Sequence, residues 1–246
     1  MKLFALLFFV ASLQASTIHL AVAANVSYAI QDLKKEFLKH HPHTKVEITL
    51  GGSGHLSAQI LRGAPYDVFM SANMKYPQFL YEKFLAISKP KVYANGLLAL
   101  FSVKKRDFSK SLTVLKQKDI KKIAIANPKT APYGAAAVEA LKNLHIYKDV
   151  KSKFIYAHSV AQTLSYSLKA ADIGIVALSA LYSKKLKKFH SPQHFIQIDQ
   201  KLYTPIKQGV VLLKHAKKND DAKVFLRFLE SKKAKQIFKE YGYIVP

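Results

Sequence analysis

The chain predicts an α/β protein built on mainly parallel sheets, and three features carry that prediction. Short apolar runs alternate with amphipathic helical segments along most of the length. The runs at 97–103, 123–126 and 173–176 are apolar at nearly every position, as strands buried on both faces are. Half of the 246 residues are hydrophobic and 22% are charged, which suits a sizeable core in one large or two small domains.

Taken in order, residues 19–23 form the first strand. A helix over 28–40 follows, with Ile30, Leu33, Phe37 and Leu38 as its apolar stripe and Pro42 as its stop. Val46, Ile48 and Leu50 alternate as a half-buried second strand, and 56–62 reads as a short helix. Residues 66–70 make a third strand, and Ser71-Ala72-Asn73 caps a helix over 75–84. Around 93–96 the pattern changes and a second set of elements begins. Its strands lie at 97–103, 123–126, 154–156, 173–176, 195–198 and 209–213, with helices at 135–144, 161–169 and 178–181. Two helices, 220–229 and 234–240, close the chain.

The amino terminus reads as a signal peptide over 1–16. Lys2 precedes an apolar run at 3–10, and small residues lead to cleavage after Ala15 or Ser16. Export is therefore expected. The chain has no cysteine, which excludes disulfides, thiolate catalysis, thiolate metal sites and a lipid anchor on cysteine. No run reaches the roughly 18–20 apolar residues that a membrane span needs.

The formal charge of +24 first suggests nucleic acid or an anionic membrane surface. The basic residues are nevertheless spread along the chain, and only Arg62, Arg106 and Arg227 are arginine, the residue on which base readout leans. The charge reads as a solvated surface that steers small anions, with polyanion binding as the second reading.

Parallel sheets bind ligands beyond the carboxyl ends of their strands, which directs attention to the turns at 23–27, 50–55, 126–134 and 157–160. In the second of these, Gly51-Gly52-Ser53-Gly54 lets backbone N–H groups converge at a helix start, where free amides and the macrodipole favour an anion. All four turns offer neutral donors, among them Asn25, Ser53, Tyr133 and Ser159, and the one charged residue near an apex is Lys129. Such donors can hold a tetrahedral oxyanion without a counter-charge.

With these turns laid out, the chain resembles the periplasmic molybdate-binding proteins of ABC transporters. The resemblance rests on Ala21-Val22-Ala23-Ala24-Asn25-Val26, on Gly52-Ser53-Gly54-His55-Leu56 with Gln59-Ile60, and on Gly63-Ala64-Pro65-Tyr66-Asp67-Val68-Phe69-Met70-Ser71-Ala72. Ala126-Asn127-Pro128, Pro132-Tyr133-Gly134, Val160, Gly174-Ile175-Val176 and the ending Phe238 to Tyr243 continue it over essentially the whole mature chain.

The resemblance implies a two-lobed type II periplasmic-binding fold with the ligand cleft between lobes. Lobe 1 would take 17–95 and 207–246, and lobe 2 would take 96–206. It implies an oxyanion site made of the side chains of Asn25 and Ser53 and the backbone N–H groups of Tyr133 and Val160, with additional contacts from Ala24, Gly52, Gly54 and Ser159. Molybdenum would be bound only as the oxyanion, with no direct protein-to-metal ligand, no cofactor and no catalysis. The implied setting is a periplasmic monomer that serves a membrane permease and binds no nucleic acid. Two departures stand out: Asn25 where many relatives carry Ser, and Ala177 where many carry a Tyr. Oxyanion binding survives both, and the choice among molybdate, tungstate and sulfate stays open.

Other readings of single residues are weaker. Ser53 loosely matches a nucleophile elbow, but His55 stands where the final glycine belongs. His40, His41 and His43 are split by Pro42 and have no carboxylate at ligand spacing. Asp67 orients backbone or a neighbouring Lys, and Ser159 caps its helix. The 28 Tyr and Phe residues fall mostly at core positions.

Overall fold

The computed structural model describes residues 16–246, and these form two five-stranded sheets. The signal segment expected over 1–16 lies, apart from Ser16, outside the described residues. The first sheet has the order β2-β1-β3-β10-β4, from β1 (Thr17–Ala23), β2 (Lys45–Gly51), β3 (Val68–Met70), β4 (Lys91–Gly96) and β10 (Ile206–Leu212). The second has the order β7-β6-β8-β5-β9, from β5 (Leu98–Phe101), β6 (Ile123–Ala126), β7 (Phe154–Ala157), β8 (Ile173–Ala177) and β9 (Phe195–Gln197).

In the first sheet β1 pairs in parallel with β2 and β3, while β10 is antiparallel to both β3 and β4. Four of the five strands thus point one way, and β10 alone opposes them. The second sheet repeats the pattern with β5 as the opposed strand. The sheets are therefore mainly parallel in direction but mixed in pairing. The connections explain this. β4 ends at Gly96, and after Leu97 the chain enters the other sheet as β5. A strand that passes from the carboxyl edge of one sheet into a facing sheet must run against that sheet's parallel strands. β10 makes the return journey under the same rule.

Each sheet is covered on both faces, as the continuous apolar strands require. In the first lobe α1 (Ala29–His40), α8 (Asp220–Phe228) and α9 (Lys232–Glu240) cover one face through Leu33, Phe37, Phe225 and Phe238. α2 (Ser53–Leu61) and α3 (Lys75–Glu82) cover the other through Leu56 and Leu80. In the second lobe α4 (Pro132–Asn143) and α5 (Tyr147–Val150) pack on Ile123 and Ile125. α6 (Val160–Lys169) and α7 (Leu178–Leu181) pack around Phe101 and Val176 on the opposite face.

Several boundaries differ from the sequence reading. α2 begins at Ser53 rather than 56, and α4 begins at Pro132 rather than 135, because a proline at the first helical position lacks only an N–H that has no helical partner anyway. Strand β4 lies where only a change of pattern was expected. Its Lys91-Val92-Tyr93-Ala94-Asn95-Gly96 shows no clean alternation, and its pairing with β10 slips register between Gln208 and Gly209.

Asp67 ties the first lobe together from the end opposite the strand carboxyl termini. It is fully buried. Its Oδ2 accepts from the backbone N–H of His19 at 2.8 Å and from Asn219 Nδ2 at 3.2 Å, and its Oδ1 lies 2.9 Å from His215 Nδ1. This carboxylate orients the backbone of β1 and the start of α8, and its basic neighbour is His215 rather than the lysine expected. Asp67→Ala removes the acceptor of the part-buried His19 N–H and of Asn219 Nδ2, while the half-exposed His215 ring turns to water, so unfolding free energy from urea titration should fall by about 1–3 kcal/mol in all. An unchanged midpoint would show that the tie contributes nothing.

Candidate functional site

The carboxyl ends of β1, β2, β6 and β7 face one another where the lobes meet. Between them lies a small cavity in which the centre of a water-sized sphere can range over about 10 Å³. Ala24, Asn25, Gly52 and Ser53 wall it from the first lobe, and Tyr133, Ser159 and Val160 from the second. The remaining walls are Ala23, Gly51, Ala72, Ala131 and Pro132, so no wall residue is charged. Seven of the eight residues expected from the sequence are therefore brought together. The eighth, Gly54, is not a wall: its N–H donates to the Thr130 carbonyl at 3.1 Å and joins the lobes beside the cavity.

Three helices start at this cavity. Gly52 is the N-cap of α2, and its carbonyl receives the Leu56 N–H at 3.0 Å, which leaves the Ser53 N–H in the unpaired first turn. Ser53 is almost fully buried, and its Oγ accepts from the Ala72 N–H at 2.9 Å. That bond fixes the rotamer through a lone pair and keeps the hydroxyl hydrogen for another acceptor. Tyr133 is the second residue of α4, where the i−4 carbonyl lies outside the helix. Ser159 caps α6, with its Oγ accepting from the Gln162 N–H at 3.2 Å, and Val160 is the first residue of that helix. First-turn N–H groups and the positive ends of three helix dipoles thus meet in one small space.

Asn25 sits in the short turn Ala24–Val26 and is buried. Its Nδ2 donates to Gln208 Oε1 at 2.9 Å and to the Tyr243 hydroxyl at 3.3 Å. Its amide hydrogens are thus directed to the crossover strand β10 and the carboxy-terminal segment, where the sequence reading had them donating to a ligand. Its Oδ1 has no hydrogen-bond partner among the described residues. The network continues. Gln208 Nε2 donates to the Tyr133 hydroxyl at 3.1 Å, Tyr93 donates to Gln208 Oε1 at 2.8 Å, and Tyr243 donates to the Asn25 backbone carbonyl at 2.8 Å. Burial pushes the hydroxyls of Tyr93, Tyr133 and Tyr243 above the ordinary phenol range, so all three stay neutral.

Tyr93, Gln208 and Tyr243 were not expected at the site. The sequence holds one signal for them: Gln208 is a polar residue in the run Gln208-Gly209-Val210-Val211-Leu212-Leu213 that otherwise reads as a buried strand. Ala177 ends β8, is buried, and is not a wall of the cavity. The nucleophile reading of Ser53 fails on geometry, because the His55 ring meets the Gln59 amide at 3.1 Å on the exposed side of α2. Among the described residues no group of three or more His, Cys, Asp or Glu side chains is placed to hold a metal ion, and no helix is long and apolar enough to cross a membrane.

The lobes touch closely around the cavity. Ser179 Oγ donates to the Asn25 carbonyl at 3.2 Å, and a Cβ on Gly52 would stand 2.9 Å from the His158 carbonyl of the opposite lobe.

A family model described as "Bacterial extracellular solute-binding protein" matches residues 18–244. The molybdate-binding protein ModA of Azotobacter vinelandii is 36% identical over 232 residues, covering 94% of this chain and 90% of that one. ModA of Rhodobacter capsulatus is 35% identical over 226 residues, covering 91% and 86%. The solved periplasmic molybdate-binding protein of Azotobacter vinelandii superimposes with a TM-score of 0.86 at 32% identity, covering 93% of this chain and 99% of that one. On the family match, on relatives this similar over nearly their whole length and on the shared two-lobed fold, the chain belongs to the bacterial extracellular solute-binding protein family.

Proposed function

We propose that the chain is the extracytoplasmic receptor of an ABC importer and captures molybdate, and tungstate with it, without transforming either. The observation that carries this reading is the uncharged cavity between the lobes, walled by the starts of three helices, in a chain similar to ModA proteins throughout. Its backbone N–H groups and the Ser53 hydroxyl are donors that stay in place at any pH. Preorganised donors aimed at one point stabilise an oxyanion in a water-poor site without a counter-ion. A cation in the same place would bind anions of many shapes. A rigid ring of dipoles around a small hollow sorts them by size and by the number of oxygens that accept.

The two lobes act as the jaws. Segments 17–95 with 207–246 and segment 96–206 would swing about the two crossovers, and closure would complete the donor set around an anion already docked on one lobe. The formal charge of +24 supports fast capture by steering anions toward the protein. In this reading the closed monomer is released from solution to a membrane permease on the periplasmic side.

Calorimetric titration of the mature chain at fixed ionic strength is the direct test. One-to-one binding of molybdate and tungstate with little response to sulfate supports the reading, and a response to sulfate alone would reassign the ligand. Ser53→Ala should weaken molybdate binding by about 1–3 kcal/mol, the usual cost of leaving a hydrogen-bond partner unsatisfied. Equal affinity in that variant would remove Ser53 from the site.

Gly52→Val tests the jaws separately. The backbone at Gly52 has φ −68° and ψ 139°, which any residue adopts, so the variant strains neither lobe, yet its side chain would meet the His158 carbonyl on closure. Molybdate affinity should drop about tenfold or more as the closed population shrinks, while the melting temperature without anion stays near that of the parent. An unaltered affinity would show that closure does not bring these residues together.

A further inference from the structure

The Asn25 amide shows its nitrogen edge to Gln208 and Tyr243, so its oxygen edge faces the other way, and Asn25 is a wall of the cavity. That oxygen, buried and without a partner among the described residues, is an acceptor beside a site whose other polar groups are donors. An anion and a carbonyl oxygen repel each other. The amide is held in this orientation by Gln208, because Gln208 Oε1 accepts from both Asn25 Nδ2 and Tyr93.

A second arrangement of the same atoms gives up the 3.3 Å bond from Asn25 Nδ2 to the Tyr243 hydroxyl and frees that nitrogen for the cavity. If the amides of Asn25 and Gln208 both turn over, Gln208 Nε2 donates to Asn25 Oδ1 and to Tyr93. Tyr93 then donates to the Ser71 carbonyl, which already lies 3.3 Å from its hydroxyl. Gln208 Oε1 receives the Tyr133 hydroxyl hydrogen, and Asn25 Nδ2 takes the unpartnered position on the cavity side. Neither turn moves a backbone atom. Each exchanges an amide's oxygen for its nitrogen within one envelope, and both must occur together, since Gln208 cannot offer oxygen to a hydroxyl and an amide oxygen at once.

Resting on the proposed anion site, we propose that Gln208 is its positioning residue: the Gln208 amide decides whether Asn25 turns an acceptor or a donor toward the cavity, and anion capture draws both amides into the donor arrangement. Three features place Gln208 for this work. It is fully buried, and it lies at the register slip of β10, where a bulge re-aims a side chain. It also packs against Gly96 at the other crossover, where a Cβ would collide with the Tyr133 hydroxyl and the Gln208 amide. The switch therefore sits between both crossovers and is joined through the Tyr133 hydroxyl to the helix that walls the cavity from the second lobe.

A double-mutant cycle tests this with molybdate as the titrant. The proteins are the mature chain, Gln208→Met, Asn25→Ala and the double variant, with the melting temperature of each recorded without anion. Gln208→Met should lose about 5- to 100-fold in affinity in the parent, the range expected for a mis-set buried partner. It should lose less than about threefold in the Asn25→Ala background, because its effect passes through Asn25. Equal losses in both backgrounds would overturn the positioning role and leave the anion site standing. A flat titration of the parent itself would overturn the anion site and the proposal with it. Should Gln208→Met fail to fold, Tyr133→Phe replaces it in the cycle, since it removes the hydroxyl that orders Gln208 and keeps the ring. The Asn25 side-chain NH₂ signals, assigned by their loss in Asn25→Ala, give a second readout. They should shift on molybdate addition in the parent and shift less in Tyr133→Phe, whereas no shift in the parent would overturn the turn of the amide.

Discussion

A strand that leaves one sheet by its carboxyl edge can enter a facing sheet only against the direction of that sheet's parallel strands. This constraint on the two crossovers accounts for much of the architecture. It makes β5 and β10 the opposed strands, and it turns the carboxyl ends of the other strands toward one another. Because helices follow those ends, their amino termini converge across the junction with no further device. The cavity is thus a consequence of topology before any side chain is considered, and the side chains then set its size and polarity.

The division of charge follows the same line. The surface holds a large excess of lysine, whereas the walls of the cavity hold no charged side chain. Surface charge acts over a distance of about a Debye length and raises encounter rates, and it is screened by salt. Dipoles in the cavity between the lobes act over a few ångströms and are less exposed to salt than the surface charges. In the proposed function, capture and discrimination fall to separate parts of the molecule, and each can change without spoiling the other.

Much of the fold was legible in the residues themselves. The strands at 123–126 and 173–176 declare themselves as unbroken apolar runs, and the glycine turn at 51–54 marks a helix start by its lack of side chains. The turns also offered most of the cavity walls, because a topological rule says where to look. What was not legible depends on pairing across long separations. Gln208 reaches Asn25 across 183 positions, and Tyr243 reaches it across 218. A polar residue at the head of an apolar run marks Gln208 as unusual, but no local pattern says which residue it pairs with. β4 was obscured for a related reason: it is a strand only because β10 returns to pair with it, and its own residues do not alternate. Gly54 shows the converse. Its place in a donor-rich turn suggested a ligand contact, yet its N–H is taken by Thr130, a residue of the other lobe.

The helix starts at Ser53, Tyr133 and Val160 present N–H groups of the main chain, which every amino acid except proline carries. Substitution can reshape the side chains around these groups but can hardly erase the groups themselves. A receptor built this way resists the loss of its basic chemistry under random mutation. If the proposed site holds the anion, heritable change in its preferences is funnelled through the few positions where a side chain or its absence counts, such as Asn25, Gly52 and Ser53. Diversification along such a lineage would proceed by retuning a persistent frame of amides, and new specificities would emerge from small edits at its corners.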